Sequence, residues 1–213
     1  QGWITDFSIS PNEKTFITAC ADQKIRLFDI KKKRCIAIFG PFPFVPTAIL
    51  FHPEGKHYFI GFTNGVCACY KIKGAKKVLS VQLHQSSVTA ISMHKSGKFL
   101  ASVSVDSTIS ILEVEKATIL FSMLVKQKGL NSVVFSNDGW QLMTTSISGR
   151  LTIWDFPFNG LVLKGSSRNS TDNENDKLID NDNNSDENCF PEVLPRPKSS
   201  QTMPSHFQMQ NNM

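Results

Sequence analysis

DFSISPNEK (residues 6–14), AILFHPEGK (48–56), AISMHKSGK (90–98) and SVVFSNDGW (132–140) are four versions of one pattern, a short run with apolar residues at alternating positions followed by a polar turn. Each starts 42 residues after the one before, a constancy that chance does not produce. A second series runs beside it: IRLFDI from Ile25, VCACYK from Val66, ISILEV from Ile109 and LTIWDF from Leu151, at spacings of 41, 43 and 42 residues. A fixed period of this size marks a repeat architecture.

Each repeat holds four short apolar runs separated by polar turns, which predicts four strands per unit. In the first repeat they fall at 3–10, 15–20, 24–30 and 34–39. Connections of two to six residues make neighbouring strands antiparallel, because parallel pairing needs a crossover of about a dozen. One such meander buries too little apolar surface to offset the entropy of ordering about 40 residues. Both faces of a unit are apolar, as Ile25 and Leu27 on one side and Phe28 on the other show. The units must therefore stack face to face, and radial stacking makes a β-propeller.

The turn segments, the period and above all LTIWDF with Trp154 and Asp155 resemble the blades of the WD-repeat family, and IRLFDI, with Phe28 and Asp29, is similar with Phe for Trp. That family also carries an Asp in the hairpin before this strand; Asp22 and Asp106 match it, and Asn64 and Ser148 stand there in the other two repeats. Its Gly-His pair is missing from all four repeats, so the resemblance implies an incomplete Asp-His-Ser/Thr-Trp hydrogen-bond network throughout. It covers about residues 3–156. Since most of the family closes seven blades, the four repeats imply an open, partial propeller whose missing blades are expected from a longer chain or a partner. The only spare strand candidate for closure is residues 161–163.

Composition divides the chain in two. Residues 1–165 hold the repeats (about 1–40, 41–83, 84–126 and 127–165), with 19 Lys and Arg against 10 Asp and Glu; residues 166–213 carry 4 against 8 and are rich in Asn, Asp, Ser and Pro. The second part is expected to be a disordered acidic tail. Its acidic stretch is expected to screen the basic repeats weakly. No apolar run approaches the roughly 18 residues of a membrane helix, and the five cysteines have no zinc-like or disulfide-framework spacing,. An intracellular protein, in cytoplasm or nucleus, with reduced thiols is expected.

Phosphate-loop, nucleophile-elbow and zinc-protease motifs do not occur,. His52 and His94 occupy equivalent turn positions, where a turn-stabilising hydrogen bond explains them. Cys67 and Cys69 share one face of a strand and read as core; Cys69 aligns with Trp154 of the fourth repeat. Asp29 and Asp155, with Glu113 and Tyr70 at the matching places, are separated by whole repeats and read as structural. No catalytic residue, metal or cofactor is expected.

The surface offers two candidate contact regions. First-to-second and third-to-fourth turns of a meander share one rim, and cations concentrate there: Lys14, Lys56, Lys95 and Lys98 on the former, Lys31, Lys32, Lys33, Arg34, Lys73, Lys76, Lys77 and Lys116 on the latter. Such a rim favours acidic ligands, whether RNA, acidic peptide or phosphoinositide. The opposite rim carries GPFPFVP (40–46), where Phe42 and Phe44 are candidate docking knobs,. Two functions compete: a non-catalytic protein-interaction scaffold in a multi-subunit complex, and an RNA- or phosphoinositide-binding propeller.

Overall fold

Alternating apolar side chains bounded by Gly, Pro, Asn and Asp turns become strands in every repeat of the computed structural model, which describes residues 2–126 and 128–156. Blade one comprises β1 (Ile4–Ile9), β2 (Thr15–Cys20), β3 (Ile25–Asp29) and β4 (Arg34–Phe39). Blade two comprises β5 (Pro46–Phe51), β6 (His57–Phe62), β7 (Val66–Lys71) and β8 (Lys77–Gln82), with a single 3-10 turn at Lys73–Ala75. Blade three comprises β9 (Val88–Met93), β10 (Phe99–Ser104), β11 (Thr108–Glu113) and β12 (Thr118–Leu124). Blade four comprises β13 (Leu130–Phe135), β14 (Gln141–Ser146) and β15 (Leu151–Asp155). All are antiparallel meanders, four-stranded in the first three blades and three-stranded in the fourth among the described residues. The strand expected at 161–163 and the tail lie outside them.

The first strands of successive blades touch one another, β1 to β5, β5 to β9 and β9 to β13, so these strands line the axis. Each bulges at the same place, at Thr5, Thr47, Thr89 and Asn131. A bulge re-aims the side chain it carries. Thr5 thereby donates to the carbonyl of Pro46 at 2.7 Å and Thr89 to that of Leu130 at 2.7 Å, each in the next blade. Asp6 and Ser8 extend this junction by accepting from the backbone N–H groups of Ile49 and Phe51, and Ser92 accepts from Phe135. Between blades two and three, Ala48 and Leu50 stand where Asp6 and Ser8 stand, and apolar contacts replace those two bonds near the axis.

Each blade has a trailing face, turned to the next blade, and a leading face, turned to the one before. Ile17, Ala19, Ile25 and Leu27 trail blade one and pack on Ile49, Phe51, Tyr58 and Ile60. Phe59, Cys67 and Cys69 trail blade two and meet Leu100 and Leu112. Ala101, Val103, Ile109 and Ile111 trail blade three and meet Leu130, Val133, Phe135 and Leu142. Both sides of every inner sheet are thus consumed in stacking, which is why the unit cannot stand alone.

Register corrects one sequence alignment. Tyr58 pairs with Tyr70 as Leu142 pairs with Trp154, so Tyr70, not Cys69, is the counterpart of Trp154. A slip of one residue moves a side chain to the opposite face; Cys69 sits on the trailing face beside Cys67. Both thiols are buried, and burial pushes each up to about 12, so they are inert packing groups. Lys71 then takes the place beside Asp29, Glu113 and Asp155.

Candidate functional site

Two rims emerge from the meanders. Backbone bonds from Ile30 to Lys14, Ile72 to Lys56, Val114 to Lys98 and Phe156 to Trp140 tie the third strand's end to the first turn in each blade. They place the two sets of turns side by side on one rim. Lys31, Lys32, Lys33, Arg34, Lys56, Lys73, Lys76, Lys77 and Lys98 are all exposed there. Asp29 caps the β3–β4 turn by accepting from the Lys32 N–H at 2.7 Å, and Glu113 pairs with Lys116 at 2.8 Å.

The turn histidines hold this rim across blades. His52 accepts at Nδ1 from the Glu54 N–H and lies 3.1 Å from the Gly97 carbonyl of blade three through Nε2. Gly97 has φ +72°, and a Cβ there would stand 2.8 Å from His52 Nε2. His94 accepts from the Ser96 N–H and seats against Gly139 of blade four in the same manner.

On the opposite rim the two loop phenylalanines part company. Phe44 is exposed, whereas Phe42 is buried against Phe62 and Tyr70, with ring centroids at 5.7 and 5.4 Å. Phe42 is therefore a packing residue and not a docking knob. The reason is its position: its N–H bonds to Gln23 as the His84 N–H bonds to Gly65 one repeat later.

That equivalence exposes a residue sequence reading passed over. His84 follows Leu83 rather than Gly, which hid it, but it builds the Asp, His and Ser/Thr part of that network in blade three, and only the Trp is missing. Thr108 donates to Asp106 Oδ1, so its Oγ1 accepts from His84 Nδ1–H at 2.5 Å, and His84 Nε2 accepts from Ser102 at 2.7 Å. Asp106 also accepts the N–H groups of Gln85 and Thr108. Leu112 stands where Trp would complete the set. Burial holds the imidazole down to about 4 against the opposing pull of Asp106, 3.7 Å away.

Ser102, His84 and Asp106 have the residue types of a hydrolytic triad, but not its access. Ser102 is 0% exposed and its hydroxyl is enclosed between strands. A nucleophile needs a substrate within about 3.5 Å, and no carbonyl can reach this one. The other blades fill the same locus differently. Blade one uses an ion pair in which the Arg26 guanidinium holds the Asp22 carboxyl well below the usual range, with Phe28 stacked on Phe16 at 4.8 Å. Blade two uses Phe42 and Tyr70. Blade four uses Trp154, whose Nε1 donates to Thr144 at 2.9 Å.

Residues 1–29 match the family model described as WD domain, G-beta repeat, and residues 70–138 match that of the anaphase-promoting complex subunit 4 WD40 domain. Both models describe WD repeats, so these two segments of the chain carry WD repeats. It is similar to pre-mRNA-processing factor 19 of Bos taurus, 25% identical over 141 residues, 65% of this chain and 28% of that protein. It is similar to telomerase protein component 1 of Rattus norvegicus, 24% over 154 residues, 72% of this chain and 6% of that protein. A third relative, p21-activated protein kinase-interacting protein 1-like of Gallus gallus, is 25% identical over 159 residues, 68% of this chain and 42% of that protein. The chain thus spans less than half the length of each of these WD-repeat relatives. No helix among the described residues is long and apolar enough to cross a membrane.

Proposed function

We propose that this WD-repeat chain is a non-catalytic, intracellular scaffold that binds other proteins of a multi-subunit assembly. One observation carries the reading: the residues able to do chemistry, His84, Ser102, Thr108 and Asp106, are spent on holding blade three together, while the exposed turns present a continuous contact rim. The relatives' names support it, since one is a component of telomerase and another interacts with a kinase. We further propose the rim built by Lys31, Lys32, Lys33, Arg34, Lys56, Lys73, Lys76, Lys77 and Lys98 as the contact face. An acidic protein segment suits it better than RNA, because bases need aromatic stacking platforms and no aromatic side chain lies within its basic turn 31–34. Phe44 on the opposite rim is the apolar alternative.

The test is affinity capture with the tagged chain and with a variant carrying Glu at positions 31–34. Stoichiometric partner proteins with the parent chain and their loss with the variant are expected. A chain that binds nothing yet turns over a substrate at a rate abolished by Ser102→Ala would overturn the reading. Fluorescence anisotropy with poly-glutamate and with single-stranded RNA at two salt concentrations separates the two ligand classes.

A further inference from the structure

The rim that carries the basic turns is not uniform along its length. In the turns of blades one and two (10–14, 29–34, 52–57 and 71–77) ten Lys and Arg stand against three carboxylates, Glu13, Asp29 and Glu54. In blades three and four the turns 94–99, 113–118 and 136–141, with Asp155, hold three Lys against Glu113, Glu115, Asp138 and Asp155. Among the described residues, one half of the rim is strongly cationic and the other is balanced.

The balanced half carries Trp140. Its carbonyl accepts from the Phe156 N–H as those of Lys14, Lys56 and Lys98 accept from Ile30, Ile72 and Val114, so an indole stands on the rim where each earlier blade has an ammonium. It is 59% exposed. The turn beneath it is fixed. Asp138 accepts from the Ser136 hydroxyl and, at 3.0 Å, from the Trp140 N–H, and the Gly139 N–H bonds to the Ser136 carbonyl at 2.9 Å. Gly139, at φ +80°, lies so close to His94 of blade three that a Cβ there would clash with the imidazole. An aromatic side chain on so rigid a turn covers a partner's apolar group at little cost in ordering, which is the property of a binding anchor.

We propose that the rim recognises a bipartite protein segment, an acidic stretch on the turns of blades one and two joined to an apolar or aromatic residue seated on Trp140; this rests on the reading of the basic turns as a seat for an acidic segment. Packed sheets lie about 10 Å apart, so Trp140 is separated from the turns of blade two by roughly 20 Å near the axis and more at the rim, a span of about six to ten residues of extended chain at about 3.3 Å each. Single-stranded RNA fits less well. It carries a phosphate on every nucleotide, and a base stacked on Trp140 brings phosphates past Asp138 and Asp155, whereas a peptide is free to be uncharged there.

Fluorescence anisotropy on the full 213-residue chain tests it with labelled peptides of six Glu, an eight-residue Gly-Ser spacer and a terminal Phe or, for comparison, a terminal Ser. We expect the Phe peptide to bind about tenfold more tightly than the Ser peptide. Trp140→Ala should erase that preference and leave both the Ser peptide's affinity and the circular dichroism unchanged, and Trp140→Phe should keep part of it. Glu at positions 31–34 should weaken both peptides, and a two-residue spacer should abolish the preference because it cannot span the rim. Equal affinity of the two peptides for the parent chain overturns the bipartite seat while the acidic seat stands; failure of both to bind overturns the acidic seat and the bipartite one with it. A preference that survives Trp140→Ala or the short spacer overturns it as well, by placing the apolar contact elsewhere. So does a twelve-nucleotide single-stranded RNA that loses affinity on Trp140→Ala while the peptides do not, which would make the partner a nucleic acid.

Discussion

Replacing His84 with Gln removes the titrating group from the centre of blade three while keeping a hydrogen-bonding side chain there. In the folded chain the imidazole stays neutral down to about 4, whereas in the unfolded chain it takes a proton near 6.5. Between those values the unfolded state binds more protons, so falling pH favours unfolding. The stability contributed by the neutral imidazole is complete above about pH 6.5. It declines by about 1.4 kcal/mol per pH unit and is exhausted below about 4, a total of about 3 kcal/mol. Asp106, whose carboxyl its hydrogen bonds hold below 3.8, contributes under that window. Asp6, raised by burial, and His57 and His94, lowered by burial, act alike in both proteins and cancel in the difference. At pH 7.5 the variant should lose about 2 kcal/mol, since Ser102 and Thr108 keep only part of their bonding. By pH 4.5 the difference should have moved by about 2 to 3 kcal/mol in the variant's favour, which closes the gap or slightly reverses it. Urea unfolding followed by tryptophan fluorescence at both pH values measures it. A gap of the same size at both would refute the argument.

Tyr58→Phe should stabilise the chain by about 1 kcal/mol, because the Tyr58 hydroxyl is buried without a hydrogen-bond partner among the described residues,; a lower melting temperature would contradict this. Gly97→Ala should cost about 2 kcal/mol, combining the left-handed backbone with the approach of His52,, while Gly74→Ala, with open space around it, should show only the backbone part. Trp154→Phe should cost about 1 to 2 kcal/mol by leaving the buried Thr144 hydroxyl without its donor. Thermal melts by circular dichroism decide all three.

The fold was legible because the repeat is legible: a period of 42 residues with two apolar faces admits few arrangements other than stacked meanders, and the strands at 15–20 and 34–39 form where the apolar runs lie. What was not legible depended on register and partners. VCACYK was aligned by its first residue, but backbone pairing shifts it by one and exchanges Cys69 for Tyr70 on the leading face. Phe42 reads as a knob because it lies between prolines in a loop, and nothing local reveals that its position is the one His84 occupies in the next repeat. His84 itself was hidden by reliance on a Gly-His dipeptide. The usable signal was its distance, 22 residues ahead of Asp106, the same interval that separates Phe42 from Asn64. The lysines were placed on one rim by turn topology alone, since their location follows from connectivity and not from packing.

The same locus, closed by an ion pair in blade one, aromatic rings in blade two, an imidazole relay in blade three and an indole in blade four, makes the array chemically heterogeneous along its length. At this locus mild acid loosens the third unit, while the phenylalanine and tyrosine rings of the second carry no group that titrates there. Raised ionic strength weakens the first, where two opposite charges face each other near solvent, and spares the fourth. Four modules of one backbone shape therefore answer to different solvent conditions, and each seam can be perturbed without touching the others.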